Sequence, residues 1–157
     1  MSFVVKNMIE PEDFVNIRAN LNWNYIPCDL VKKAIEGSML NISVFDNDKC
    51  IGVGRIVGDH ALKGMLTDIM VIKEYQNKGV GKMIVTSLIS ELDKLIKEGE
   101  CFQLEASPTA GNRDFYIKCG LKYKPENQDG VYLWIKNKCE QHQKSMRGGT
   151  NEKKINK

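Results

Sequence analysis

The chain has 157 residues, 42% hydrophobic and 27% charged, which excludes a disordered polymer and fits one domain able to bury its own core. Its apolar runs fall far short of the roughly 20 residues of a transmembrane helix, and Met1-Ser2-Phe3-Val4-Val5-Lys6 lacks the features of a signal peptide, so a cytoplasmic protein with no membrane partner is expected. The net charge of +3 sits at the end of the chain, where seven basic residues from Lys136 onward face two acidic ones; the other 16 basic and 18 acidic residues leave −2, unlike the basic body of a nucleic-acid binder.

Phe3-Val4-Val5 is a β-rich run that opens a sheet. Glu10-Pro11-Glu12-Asp13 starts a helix, with proline in the first turn and acids at the positive end of the dipole. Phe14, Ile17 and Leu21 supply its apolar face. A loop containing Trp23, Asn24 and Tyr25 leads to a second helix over 29–36, stopped by Gly37. Strands over 40–46 and 49–57 are joined by the turn Asn47-Asp48, and a third over 65–72 completes a meander. The clearest helix spans 79–97: Val80, Ile84, Leu88 and Leu92 recur every four residues, Val85, Ile89 and Ile96 widen the stripe, and Gly99 ends it. A strand over 102–106, a short helix over 112–119 and a strand over 131–135 follow. The class is α/β with a mixed sheet. We divide the chain into a domain, 1–138, and a polar basic tail, 139–157, whose loss is expected to leave folding and turnover nearly intact.

Five cysteines (Cys28, Cys50, Cys101, Cys119 and Cys139) form no C-x-x-C pair and read as reduced structural thiols. With only His60 and His142 beside them, no metal site is expected.

Chemistry is signalled where the apolar strand Ile69-Met70-Val71-Ile72 runs through Gln76-Asn77-Lys78-Gly79-Val80-Gly81 into the long helix. Such a turn lets backbone N–H groups converge on an anion at a helix N-terminus, and glycine admits phosphate oxygens to the backbone. Lys78 and Lys82 add positive charge. A Walker A loop is excluded, because Gln76 stands where its first glycine belongs and Met83 replaces the hydroxyl. The Rossmann fingerprint fails at Ile84, the third glycine position. A turn whose glycines serve geometry alone is the remaining alternative.

Gln76-x-x-Gly79-x-Gly81, together with Asn112-Arg113-Asp114-Phe115-Tyr116-Ile117-Lys118-Cys119-Gly120-Leu121, resembles the two signature segments of the GCN5-related N-acetyltransferases (GNAT). The resemblance covers about residues 3–136. It implies a single-domain fold with a mixed, mostly antiparallel sheet of about six or seven strands, splayed at its centre and flanked by about four helices. It also implies acetyl-CoA as cosubstrate and no metal. The pyrophosphate would meet the backbone of Gln76, Asn77, Lys78, Gly79, Val80, Gly81 and Lys82. The pantetheine would pair with the edge of Ile69, Met70 and Val71, contact Asn112 and lie beside Phe115.

Tyr116 would be the general acid that protonates the departing thiolate, since a phenol with an ordinary pKa of about 10 keeps its proton at neutral pH; a core aromatic is the competing reading. Asp68 interrupts an otherwise apolar strand, where a carboxylate is costly without a partner or a use. It is a candidate base for the acceptor ammonium, or a group bonded to backbone near the splay. Glu105 and His60 are further candidate bases. Trp23 and Tyr25 could wall the acceptor pocket, or Trp23 could anchor the loop. The expected reaction is acetyl transfer to the primary amine of a small molecule, with no nucleic-acid partner. A non-catalytic acyl-CoA sensor and a protein-lysine acetyltransferase are the alternatives. The oligomeric state, a homodimer included, stays open.

Overall fold

Alternating apolar residues gather the described part of the chain into one seven-stranded sheet of order β1-β2-β3-β4-β5-β7-β6. In the computed structural model, residues 2–125 and 130–135 are described, and the expected tail lies outside them. The elements run β1 (Val4–Lys6), α1 (Pro11–Asn20), α2 (Cys28–Glu36), β2 (Leu40–Asp46), β3 (Lys49–Gly58), β4 (Lys63–Val71), α3 (Val80–Leu95), β5 (Phe102–Ala106), α4 (Arg113–Lys118), β6 (Lys122–Tyr123) and β7 (Val131–Ile135). Every strand pair is antiparallel except β4 with β5. Among the described residues, the single α/β domain, with its open, mostly antiparallel sheet and four helices, matches the expected class.

α3 is long because its stripe has a partner. Val80, Ile84, Val85, Leu88 and Leu92 are all buried and pack on β2 and β3. The approach is so close that a Cβ on Gly54 would stand 2.4 Å from Ile84 Cγ2 and 2.7 Å from Ile69 Cδ1. Arg55, the next residue of β3, bonds instead to the end of α2. Because neighbouring strand residues point to opposite faces, α3 and α2 cover opposite faces of the sheet. Phe14, Ile17 and Val31 bury the inner sides of α1 and α2.

The departures from expectation lie at element ends and in one added strand. Leu21 caps α1 rather than belonging to it. α2 starts one residue earlier, at Cys28, after Pro27. β4 begins at Lys63, because Asp59 closes the preceding turn by accepting N–H bonds from Ala61, Leu62 and Lys63 at 2.8–3.0 Å. Those bonds hold the Asp59 carboxyl down at about 2. β6 was not expected; it is two residues long and exists through its pairing with β7.

The sheet parts at its centre. β4 pairs with β5 only through Lys63, Gly64 and Met65, which face Gln103, Leu104 and Glu105. Beyond them β4 continues to Val71, and among the described residues its 66–71 stretch has no strand partner on that side. Unpaired N–H and C=O groups along such an edge are a template for another extended chain.

Candidate active site

The open edge of β4, the turn into α3 and the short helix α4 enclose a cleft of about 830 Å³. That volume falls in the range of small-molecule sites. Each wall has a local cause in the sequence. Ile69, Met70 and Val71 line it because β5 has already left them. The chain then turns at a 3₁₀ segment, Lys73–Tyr75, which is tied down at two points. Asn20 accepts the Lys73 N–H at 2.9 Å and donates to Glu74 Oε2 at 3.2 Å, and the Tyr75 hydroxyl donates to Asp46 Oδ2 at 2.6 Å.

Asn77 and Gly79 both adopt left-handed φ, +59° and +84°, a conformation glycine takes without strain and asparagine better than most residues. Gly79 is the N-cap of α3 and, lacking a side chain, caps nothing; the helix begins with Met83 N–H bonded to the Gly79 carbonyl at 3.0 Å. The first-turn N–H groups of Val80, Gly81 and Lys82 are therefore the orphan donors found at any helix start, here at the mouth of a cleft. Gln76 donates through Nε2 to the Val71 carbonyl at 3.0 Å, which locks the turn against the strand end. Lys73, Lys82 and Lys118 bring three cations to the same walls. Donors, dipole and cations of this kind are what an anion at a helix start requires.

Of the expected cofactor contacts, Ile69, Met70, Val71, Gln76, Asn77, Gly79, Gly81, Lys82, Asn112 and Phe115 line this one cleft. The Val80 side chain is buried in the core, so only its backbone faces the turn. Lys78 holds its ammonium 5.1 Å from the Tyr75 ring centroid and is not part of the wall. Lys73, Lys118 and Cys119 were not anticipated as lining residues. The two lysines carry a signal in retrospect, since Lys73 follows the apolar strand and Lys118 ends the short helix that the motifs had already placed.

Tyr116 lines the cleft with its ring set edge-on against Phe115, centroids 5.0 Å apart. Its hydroxyl makes no hydrogen bond among the described residues. Burial, with a smaller contribution from Cys119, lifts its pKa above the ordinary phenol value, so the group stays protonated across the neutral range. Cys119 is also lifted by burial, although Lys82 opposes the shift.

The candidate bases lie elsewhere. Asp68 is outside the cleft wall, its Oδ2 paired with Arg55 Nε at 2.6 Å. Glu105 is bracketed by Lys124 at 2.9 Å and Lys63 at 3.0 Å; the hydrogen bonds from these lysines, Lys124 first, hold its carboxyl below the usual range. His60 is exposed in the β3–β4 turn at φ +62°. Of the two aromatics expected at the acceptor, Trp23 lines the cleft and Arg18 lies over its ring at 5.3 Å. Arg18 also donates from Nε and Nη2 to the Asn24 carbonyl at 3.1 and 3.0 Å, which fixes the loop after α1. Tyr25 is 77% exposed and touches no wall of the cleft.

Residues 10–135 match the family model described as an acetyltransferase (GNAT) domain. An uncharacterized N-acetyltransferase, ycf52-like, of Prochlorococcus marinus is 28% identical over 136 residues, 83% of this chain and 71% of that protein. Among solved structures, the ribosomal-protein-S18-alanine N-acetyltransferase of Escherichia coli superposes with a TM-score of 0.65 at 17% identity, covering 85% of this chain and 94% of the other. The glucosamine-6-phosphate N-acetyltransferase of Arabidopsis thaliana does so with 0.63 at 16% identity, covering 82% and 97%. These two share the fold while their names give very different acceptors. The domain match runs from the start of α1 to the end of β7, over the whole framework that builds the cleft, and the chain belongs to the GNAT family of acetyltransferases.

Proposed function

We propose that the protein transfers an acetyl group from acetyl-CoA to the primary amine of a small molecule, by direct attack with both substrates bound. The observation that carries the reading is the single cleft in which a free strand edge, an uncapped helix start with three lysines and a protonated phenol meet. The edge of Ile69, Met70 and Val71 takes the pantetheine as an added strand. The turn and Lys82 hold the pyrophosphate. The amine nitrogen attacks the thioester carbonyl carbon, the C–S bond breaks, and Tyr116 gives its phenolic proton to the departing sulfur.

The proton left on the acceptor nitrogen goes to water in this reading. The two candidate carboxylate bases, Asp68 and Glu105, and the neighbouring Asp59 are all engaged, by Arg55, by lysines and by backbone N–H donors respectively. Trp23, held by Arg18, supplies the apolar wall for a small acceptor.

The test is thiol release from acetyl-CoA with a panel of polyamines, arylalkylamines, amino sugars, aminoglycosides and amino acids beside a lysine-rich peptide. Turnover is expected with a small amine, and kcat/KM should rise with pH as the acceptor loses its proton. No alkaline fall is expected below about pH 10, because the acid is a phenol raised above that value. Turnover confined to the peptide would replace the small acceptor by a protein one, and binding of acetyl-CoA with no turnover at all would favour a sensor.

A further inference from the structure

Arg55 and Asp68 form a part-buried pair that acetyl transfer, as read above, does not use. Their side chains are 16% and 19% exposed, and the bond between them is 2.6 Å long. The pair sits on an irregularity in the sheet. Arg55 faces Thr67 and Val53 faces Met70, so Gly54 alone spans Asp68 and Ile69. One extra residue has been fed into β4, and Asp68 takes it up with a left-handed φ of +50°. Such a bulge bends a strand and increases its twist.

Its position is what matters. The last pair between β4 and β5 is Met65 with Glu105. The bulge begins at Asp68, three residues after that pair, and leads directly into Ile69, Met70 and Val71, the edge that lines the cleft. On one face the bulge is pinned by packing, since only a glycine at 54 admits Ile84 and Ile69 so close. On the other face the fixing group is Arg55. Its Nε takes Asp68, while Nη1 donates to Ser38 Oγ at 3.0 Å and to the Ala34 carbonyl in the last turn of α2 at 3.2 Å. Ser38 donates in turn to Ala34 at 2.7 Å. A forked guanidinium can join three such partners in one geometry, whereas an ammonium is a point charge.

We propose that Arg55 and Asp68 are a positioning pair that latches the β4 bulge to the end of α2 and thereby sets the direction of the strand edge offered to the acyl donor. The inference rests on the cofactor reading above. It gives Asp68 a role through the backbone and none in proton transfer.

The experiment measures acetyl-CoA affinity by calorimetry, and melting temperature, in Arg55→Met, Asp68→Asn and the double variant. Asparagine tolerates left-handed φ as aspartate does, so Asp68→Asn removes the charge and spares the backbone; it carries the test alone if Arg55→Met fails to fold. Each single change is expected to weaken acetyl-CoA binding by about tenfold, and the double change by no more than the worse single one, as for two halves of one interaction. Arg55→Lys should recover only part of the loss. Lower melting temperatures with unchanged affinity in the single variants would reduce the pair to a structural one and overturn the proposal. A kcat that collapses in Asp68→Asn with affinity intact, beside a near-normal Arg55→Met, would overturn it in favour of a base. If the unaltered protein takes up no acetyl-CoA, the cofactor reading fails and the latch with it; if it does and Arg55→Met matches it, the latch alone fails.

Discussion

Gly81→Asp is expected to weaken acetyl-CoA binding by at least about 100-fold, close to 2.7 kcal/mol. Two effects add. A Cβ at position 81 would lie 3.3 Å from Cε2 and Cζ of Phe115, tight enough that the ring must shift. The carboxylate would then stand at the N–H cluster of the α3 start, where the pyrophosphate is proposed to sit, and meet it with like charge. Gly81→Ala separates the two, because it meets the same ring with no charge. A small loss for alanine and a large one for aspartate, in variants with native circular dichroism, is the expected pattern. Equal affinity in the parent and Gly81→Asp would remove the glycine turn from the binding site.

Tyr116→Phe should lower kcat on the order of 100-fold, the lower end of the scale for a lost general acid, and leave acetyl-CoA affinity unchanged. The ring stays, so its edge-on contact with Phe115 survives. The deleted hydroxyl leaves no donor or acceptor orphaned, since it has no hydrogen-bond partner among the described residues, and stability should change little. Single-turnover measurement establishes whether chemistry limits the rate. With chemistry limiting, an unaltered kcat would return Tyr116 to a packing role.

What could be read from the sequence follows from how local its cause is. The stripe Val80, Ile84, Leu88 and Leu92 declares α3 because helix period and burial coincide within one segment. The glycine turn and the α4 segment are each contiguous, so the motifs located most of the cleft wall without coordinates. β6 escaped notice because two residues carry no periodic signal and owe their strand conformation to Tyr132 and Val131 across the sheet. The bulge in β4 escaped for the same reason: an extra residue shows only against the register of a partner strand.

Charged partners were the least legible. Asp68 was open between a base and a group bonded to backbone near the splay; its partner is instead a side chain, Arg55, 13 residues earlier on β3. Glu105 looked available until Lys63, from β4, and Lys124, from beyond β6, closed on its two oxygens. Aspartate and glutamate are the same letters whether free or paired, and pairing across strands is set by topology. Trp23 was open between wall and anchor; Arg18 makes the two roles compatible, holding the loop while the ring faces the cleft.

In the proposed complex the turn after β4 holds the phosphate end of an acyl-CoA while the strand edge holds its arm. The most direct measurement is a calorimetric titration of the unaltered protein with acetyl-CoA and, separately, with S-acetylpantetheine, which keeps the arm and thioester but carries no phosphate. One site per chain is predicted for acetyl-CoA, with S-acetylpantetheine weaker by at least about 100-fold, the equivalent of one or two charge-assisted hydrogen bonds. Equal affinity for the two, or no binding of acetyl-CoA by the folded protein, would rule out this placement of the phosphates.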